Sequence, residues 1–399
     1  MKSPVSFAML ALLASIIAST PLAIDMYLPA MPQMALELGT DIAVIQQSLS
    51  SYLAFYGLGM LLFGPLADHW GRRPLALFGL SGFALASLAL SFCQDAHQLI
   101  FLRAVQAFFG SAATVVVPGI IRALFKEHTA KGMSYVSMIM MLAPLIAPAI
   151  GSVVLWLGHW QHIFLLLAFY ALLVLGCAWR FLPDPTPRLA GKLNLLTGYK
   201  VVFAQAKARP YIATSMFSSF AFFCFLTAVP FVYIQFYGVD EQQFSLLFAL
   251  NVGALMLANF TNSRWVVRVG SPRMLKAGLA GALFCASALV TVNLLGWSLW
   301  WTVLCIAPLM GCLGLVATNA DAMILMKFPQ HSGSATAVIG TLRFGSGAVA
   351  GPLLALSYTG TPVPFACLML AGVLAIASCQ YWAIRTDAGT AATGQTPGN

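Results

Sequence analysis

Runs of about 20 mainly apolar residues, broken by short polar segments, follow one another along the whole chain, and each is long enough for an α-helix to cross the ~30 Å hydrocarbon core of a bilayer. Twelve such spans are predicted. Those of the first half centre on residues 7–28, 43–65, 74–93, 98–121, 133–155 and 162–181; those of the second centre on 211–236, 243–263, 274–295, 298–320, 335–357 and 363–384. The first run is expected to be retained rather than cleaved as a signal peptide. It is long, carries Asp25 and Pro21 with Pro29 just beyond, and lacks a small-residue cleavage site after a short apolar core.

Composition agrees with this pattern. The chain is 60% hydrophobic and 8% charged, against roughly 45–50% and about 25% in soluble domains, so its residues cannot cover a water-facing surface and a soluble enzyme is excluded. The net charge of +9 carries no nucleic-acid meaning once it is placed on the spans. Eighteen of the twenty Lys and Arg fall on one side: Lys2, Arg72, Arg73, Arg122, Lys126, Lys131, Arg180, Arg188, Lys192, Lys200, Lys207, Arg209, Arg264, Arg268, Arg273, Lys276, Lys327 and Arg385. The opposite loops hold Glu37, Asp41, Asp95, Asp240 and Glu241 and no basic residue. Basic residues mark cytoplasmic loops, so both termini are expected in the cytoplasm.

The polar stretch from Arg180 to Arg209, with Pro183, Pro185 and Pro187, divides the spans six and six. The expected organisation is a first six-helix bundle over 1–182, a cytoplasmic linker over 183–209, a second bundle over 210–386 and a disordered tail over 387–399. Internal repeats support two related halves. Pro29 recurs as Pro230, Gly71 as Gly270, and Ala147-Pro148 as Gly351-Pro352, at offsets of 201, 199 and 204 residues. The eight cysteines form no C-x-x-C pair and have no histidine at ligand spacing, so they read as small buried hydrophobes, and neither a metal nor any other cofactor is expected.

Four charges fall inside or near the spans. An acid at the bilayer centre costs about 2.5–3.5 kcal/mol on insertion scales, so Asp25 should face the protein interior, unless it lies near enough to the outer interface to be solvated. Burial disfavours a carboxylate and a nearby cation favours it, so such a group is suited to trade a proton against an arriving substrate. Arg103 lies about 8 Å in from the outer end of the fourth span at ~1.5 Å per residue, in the same half as Asp25. It either meets Asp25 in an ion-pair or water-mediated contact or snorkels to the headgroups, and Gln106 one turn away favours the interior. Arg343 lies about 13 Å from the inner boundary by the same rise. With Asp321, it either forms a structural salt bridge between the tenth and eleventh spans or serves substrate.

The segment Gly64-Pro65-Leu66-Ala67-Asp68-His69-Trp70-Gly71-Arg72-Arg73-Pro74 is expected to form a short cytoplasmic turn in which Gly64 and Gly71 allow close approach and positive φ. Asp68 would accept from free helix-start N–H groups or pair with a basic residue, latching two bundles on the inner side. In the fifth span Pro144, Pro148, Gly151 and Ser152, and in the eleventh Gly345, Gly347, Gly351 and Pro352, predict bent helices in close contact.

Together these residues resemble the major facilitator superfamily of secondary transporters. Gly64 to Pro74 is similar to its G-x-L-A-D-x-x-G-R-R-x signature, and Arg103, Gln106 and Gly110 match R-x-x-Q-x-x-x-G. Ala147-Pro148 with Gly151-Ser152 is similar to its G-P-x-x-G-G antiporter signature, with two glycines replaced by other small residues. Ile24 to Ala30, Pro230 to Ile234, Phe248 to Asn251, Asn262 to Arg264 and Gly340 to Gly345 resemble the drug:proton antiporters of the Bcr/CflA group.

The resemblance implies an all-α integral membrane fold of twelve helices in two pseudo-symmetric bundles, and an exporter of the bacterial inner membrane. Such a protein exchanges small molecules for protons, with Asp25 and Arg103 as the coupling residues. The halves are expected to rock around a central cavity. Tyr27, Tyr52, Phe55, Tyr56, Gln106, Phe231, Tyr233, Met256 and Arg343 are candidates to line it; most of the aromatics and Met256 serve equally as packing or lipid-facing residues. Gating falls to Gly64, Asp68, Gly71, Arg72, Arg73, Pro144, Pro148, Gly151 and Asp321. The expected partners are the lipid bilayer, a small-molecule substrate and protons, with no nucleic acid and a monomer as the working unit. The alternatives are a proton symporter importing a metabolite and a non-transporting sensor.

Overall fold

A computed structural model describes residues 7–125, 129–183, 197–328 and 332–392, and among them there is no β-strand. Among the described residues, eleven helices are long and apolar enough to cross a membrane. The remaining predicted span, the fifth, lies in α7 (Thr129–Leu157), whose apolar portion is Leu142–Leu157.

Several spans are broken where the sequence withholds a backbone donor. The first is α1 (Phe7–Asp25), a 3₁₀ turn (Leu28–Ala30) and α2 (Met31–Glu37). Pro29 lacks the N–H that would bond the Asp25 carbonyl, so the α-helix stops at Asp25. The second and third spans are α3 (Ile42–Trp70) and α4 (Arg72–Leu90). The fourth is α5 (Ala96–Val115) continued by α6 (Val117–Phe125), and the sixth is α8 (Gln161–Phe181).

In the second half, the seventh span is α10 (Arg209–Pro230) running into a π-helical turn (Phe231–Phe236). It changes pitch at Pro230, the counterpart of Pro29. Next come α11 (Glu241–Val269), α12 (Ser271–Leu294) and α13 (Leu299–Lys327). The eleventh span is α14 (Ser332–Ala348) with α15 (Ala350–Leu356), and the last is α16 (Val363–Ala392), which runs into the segment expected as a tail.

The repeat is visible in backbone angles. Gly71 joins α3 to α4 at φ 95° and ψ 148°, and Gly270 joins α11 to α12 at φ 87° and ψ 147°. That region is essentially restricted to glycine. The turn expected over Gly64–Pro74 is thereby reduced to Gly71 alone. Gly64 lies inside α3, because a single residue in this conformation reverses the chain and the helix continues through Pro65 to Trp70.

The chain forms two compact units. One comprises Met1–Asn194, Thr227–Ala249 and Gly351–Leu356; the other comprises Leu195–Leu226, Leu250–Ala350 and Ser357–Asn399. Within the first unit, the Ser152 hydroxyl of α7 donates to the Glu241 carbonyl at 2.7 Å and lies 2.7 Å from the Ser245 hydroxyl, both of α11. The Gly351 N–H, left without a helical acceptor by the break after Ala348, donates to Ser50 Oγ of α3 at 3.1 Å.

In the second unit, α9 (Thr197–Ala204) forms within the segment expected as a linker. Val202 and Ala208 bury themselves against Ile324, Phe328, Val338, Ile339 and Ala383.

Candidate functional site

The spacing of Arg103, Gln106 and Gly110 places them on one face of α5, and that face points into the first unit. Arg103 is fully buried, 0% exposed, which rules out snorkelling. Its guanidinium carbon lies 4.3 Å from the ring centroid of Tyr27 and 4.3 Å from that of Tyr52, with Phe164 at 5.9 Å. Nη1 donates to Gln106 Oε1 at 2.6 Å, and Gln106 Nε2 donates to Ser87 Oγ of α4 at 2.8 Å. Ser87 in turn donates to the Phe83 carbonyl at 2.7 Å. A Cβ on Gly110 would lie 3.1 Å from the Phe83 ring, a tight contact.

The cation is therefore held by two aromatic faces and one amide instead of a carboxylate. Each desolvated cation–π contact contributes up to about 2 kcal/mol, which offsets part of the several kcal/mol that burial of an unpaired charge costs. Arg103 Nε and Nη2 and the Tyr52 hydroxyl have no hydrogen-bond partner among the described residues.

A second polar cluster adjoins the first. The Tyr52 and Tyr56 rings stack at 6.1 Å, and the Tyr56 hydroxyl lies 2.6 Å from Thr114 Oγ1 and accepts from Thr20 Oγ1 at 3.1 Å. The Tyr27 hydroxyl lies 3.3 Å from Ser48 Oγ. These groups join α1, α3, α4 and α5 through atoms that sequence reasoning passed over. Ser and Thr are common in membrane helices, and nothing in their spacing singles out Thr20, Ser48, Ser87 or Thr114.

Asp25 closes α1 and is buried, 4% exposed, so it is not solvated at the outer interface. No basic side chain among the described residues lies within salt-bridge distance of it. The direct Asp25–Arg103 ion pair that the sequence left open is thus not formed, because the guanidinium is stacked between Tyr27 and Tyr52. The kink after Asp25 is fixed from outside by Gly151 of α7, where an added Cβ would collide with the Met26 carbonyl oxygen.

Arg343 and Asp321 do meet, Nη1 to Oδ2 at 3.1 Å. Ser215 of α10 donates to Asp321 Oδ1 at 2.6 Å, and Arg343 Nε donates to Ser219 Oγ at 3.1 Å. This pair is open: the side chains are 42% and 22% exposed.

The remaining candidates are dispersed. Tyr56, Phe231 and Tyr233 are buried, and the Tyr233 ring packs 6.3 Å from Phe244. Phe55 is exposed and Met256 half-buried. Pro148 is buried and Pro144 half-buried within α7. Arg72 donates to the Gly119 carbonyl at 2.6 Å and Arg73 to the Trp179 carbonyl at 2.6 Å, tying the start of α4 to α6 and α8. The Asp68 side chain lies outside the described residues. No cluster of three His, Cys, Asp or Glu with metal-binding geometry occurs among the described residues.

Comparison with known proteins follows the same lines. The model of the Major Facilitator Superfamily matches residues 13–352. A bicyclomycin resistance protein homolog of Haemophilus influenzae is 32% identical, covering 91% of this chain and 92% of its own. A chloramphenicol resistance protein of Pseudomonas aeruginosa is 33% identical, covering 90% and 87%. Multidrug resistance protein D of Escherichia coli is 25% identical, covering 90% and 92%. Among solved structures, a mutant of the nucleoside transporter NupG superposes with a TM-score of 0.73 at 12% identity, over 94% of this chain and 99% of that one. A bacterial homolog of the human lysosomal transporter Spinster gives 0.67 at 15%, over 98% of each. With a family match across most of its length, the same helical fold and relatives aligned nearly end to end, this multi-pass membrane protein belongs to the Major Facilitator Superfamily.

Proposed function

We propose that the chain exports small, largely apolar compounds across the bacterial inner membrane in exchange for protons, by alternating access of its two six-helix halves, with both termini in the cytoplasm. It works as a monomer, needs no cofactor and catalyses no reaction. The observation that carries this reading is the separation of two buried charges in one unit: Asp25 without a cation, and Arg103 held by Tyr27 and Tyr52 without an anion. The names of the resistance-protein relatives support the substrate class.

In this mechanism Asp25 is the proton carrier. Deprotonated, it favours binding of a compound from the cytoplasmic side. Protonated from the periplasmic side, it loses its charge and the compound leaves. Proton and compound thus compete for the same carboxyl group.

Direction is tested in cells overproducing the protein. Accumulation of a compound panel that includes chloramphenicol should fall, and a protonophore should restore it. Increased accumulation would instead assign import.

A further inference from the structure

Beyond the buried cluster of the first unit, the second unit holds a charge pair that is open to its surroundings. Arg343 lies seven residues inside the span Thr336–Leu356, about 10 Å from its inner end at ~1.5 Å per residue. Asp321 lies six residues from the inner end of α13, about 9 Å by the same rise. A charge facing acyl chains is costly, up to about 2.5–3.5 kcal/mol at the bilayer centre on insertion scales, yet the Arg343 side chain is 42% exposed. An open side turned to a polar, water-accessible path avoids that cost. Every residue from Gly340 to Ser346 is half-buried, so α14 is accessible at this level.

The geometry of the pair defines what it can hold. Arg343 is fixed at Nη1 by Asp321 and at Nε by Ser219, while Nη2 is a free donor with no partner among the described residues. Asp321 is fixed by Ser215 and Arg343 and keeps lone pairs for a further donor. The site has no net charge: an anion approaching Nη2 meets Asp321, and a cation approaching Asp321 meets Arg343. A neutral group that presents an acceptor beside a donor satisfies both.

We propose that Arg343 and Asp321, positioned by Ser219 and Ser215, form a subsite for neutral hydrogen-bonding compounds such as amides and hydroxy-amides. This deepens the export reading and rests on it, since it assigns the substrate class that one part of the path selects.

The test uses purified protein in proteoliposomes with two probes, the neutral hydroxy-amide chloramphenicol and the apolar cation tetraphenylphosphonium. Arg343→Gln should weaken chloramphenicol binding at least about tenfold and leave tetraphenylphosphonium binding within about twofold, and Asp321→Asn should act in the same direction. Arg343→Lys keeps the ion pair but loses the planar fork, so it preserves thermal stability and still loses most chloramphenicol binding. Full rescue by Arg343→Lys, or equal loss of both probes in Arg343→Gln, would make the pair structural and overturn the subsite alone. Wild-type protein that moves neither probe would overturn the export reading and the subsite with it.

Discussion

Arg103 shows how a single side chain can be charged, buried and unpaired by acid at once. The Tyr27 and Tyr52 faces carry the electrostatic burden, and this separates two substitutions at one position. Tyr52→Phe keeps the ring and removes a hydroxyl that has no partner among the described residues, so its melting temperature in detergent should equal or slightly exceed that of the wild type. Tyr52→Leu removes the π face and should cost about 1–2 kcal/mol, read as a lower melting temperature. Equal effects of the two would mean that the ring does not hold the cation. Asp25→Asn fixes the side chain in a neutral form. Compound binding to wild-type protein should weaken as pH falls, because protons compete for Asp25, and in the variant binding should be flat with pH. The sequence favoured an interior placement of Asp25 and Arg103 while leaving solvation at the outer interface and snorkelling open; their burial decides between these. The tyrosine cage was not legible, because depth along a helix follows from residue count whereas the azimuth that brings Tyr27 and Tyr52 together depends on how α1 and α3 pack.

At the scale of elements, prolines and glycines decide where helices stop and how near they come. Gly71 and Gly270 occupy the same unusual backbone region in the two halves, so Gly71→Ala and Gly270→Ala should each destabilise by about 1–3 kcal/mol. Thermal melting of the two variants checks this, and a neutral effect at either site would contradict the strain argument. Gly151→Val should push α7 away from the kink that ends at Asp25, lowering proton-coupled flux more than it lowers protein yield in the membrane. Intact coupling in this variant would show that the kink tolerates displacement. All twelve spans were legible because apolar run length is a strong signal. The linker helix α9 was not: its anchors Val202 and Ala208 are scattered among polar residues, and only the partner surface formed by Ile324, Phe328 and Val338 turns them into a buried face.

For the whole molecule, the repeat offsets near 200 residues are expressed as matching structural events. Pitch changes occur around Pro29 and after Pro230, and glycine joints stand at residues 71 and 270. Compactness does not follow chain order alone, since Thr227–Ala249 and Gly351–Leu356 cluster with the first unit through Ser152, Ser245, Ser50 and Gly351. No run of hydrophobicity encodes such a grouping; it depends on single hydroxyls meeting across helices. The central claim is that Asp25 couples protons to compound movement. The most direct measurement loads proteoliposomes with acidic buffer, dilutes them into neutral buffer and follows chloramphenicol uptake. Wild-type protein should accumulate the compound above its external concentration until a protonophore is added, and Asp25→Asn protein should only equilibrate it. Accumulation by Asp25→Asn as steep as that of the wild type, or wild-type uptake indifferent to the gradient, would contradict the account.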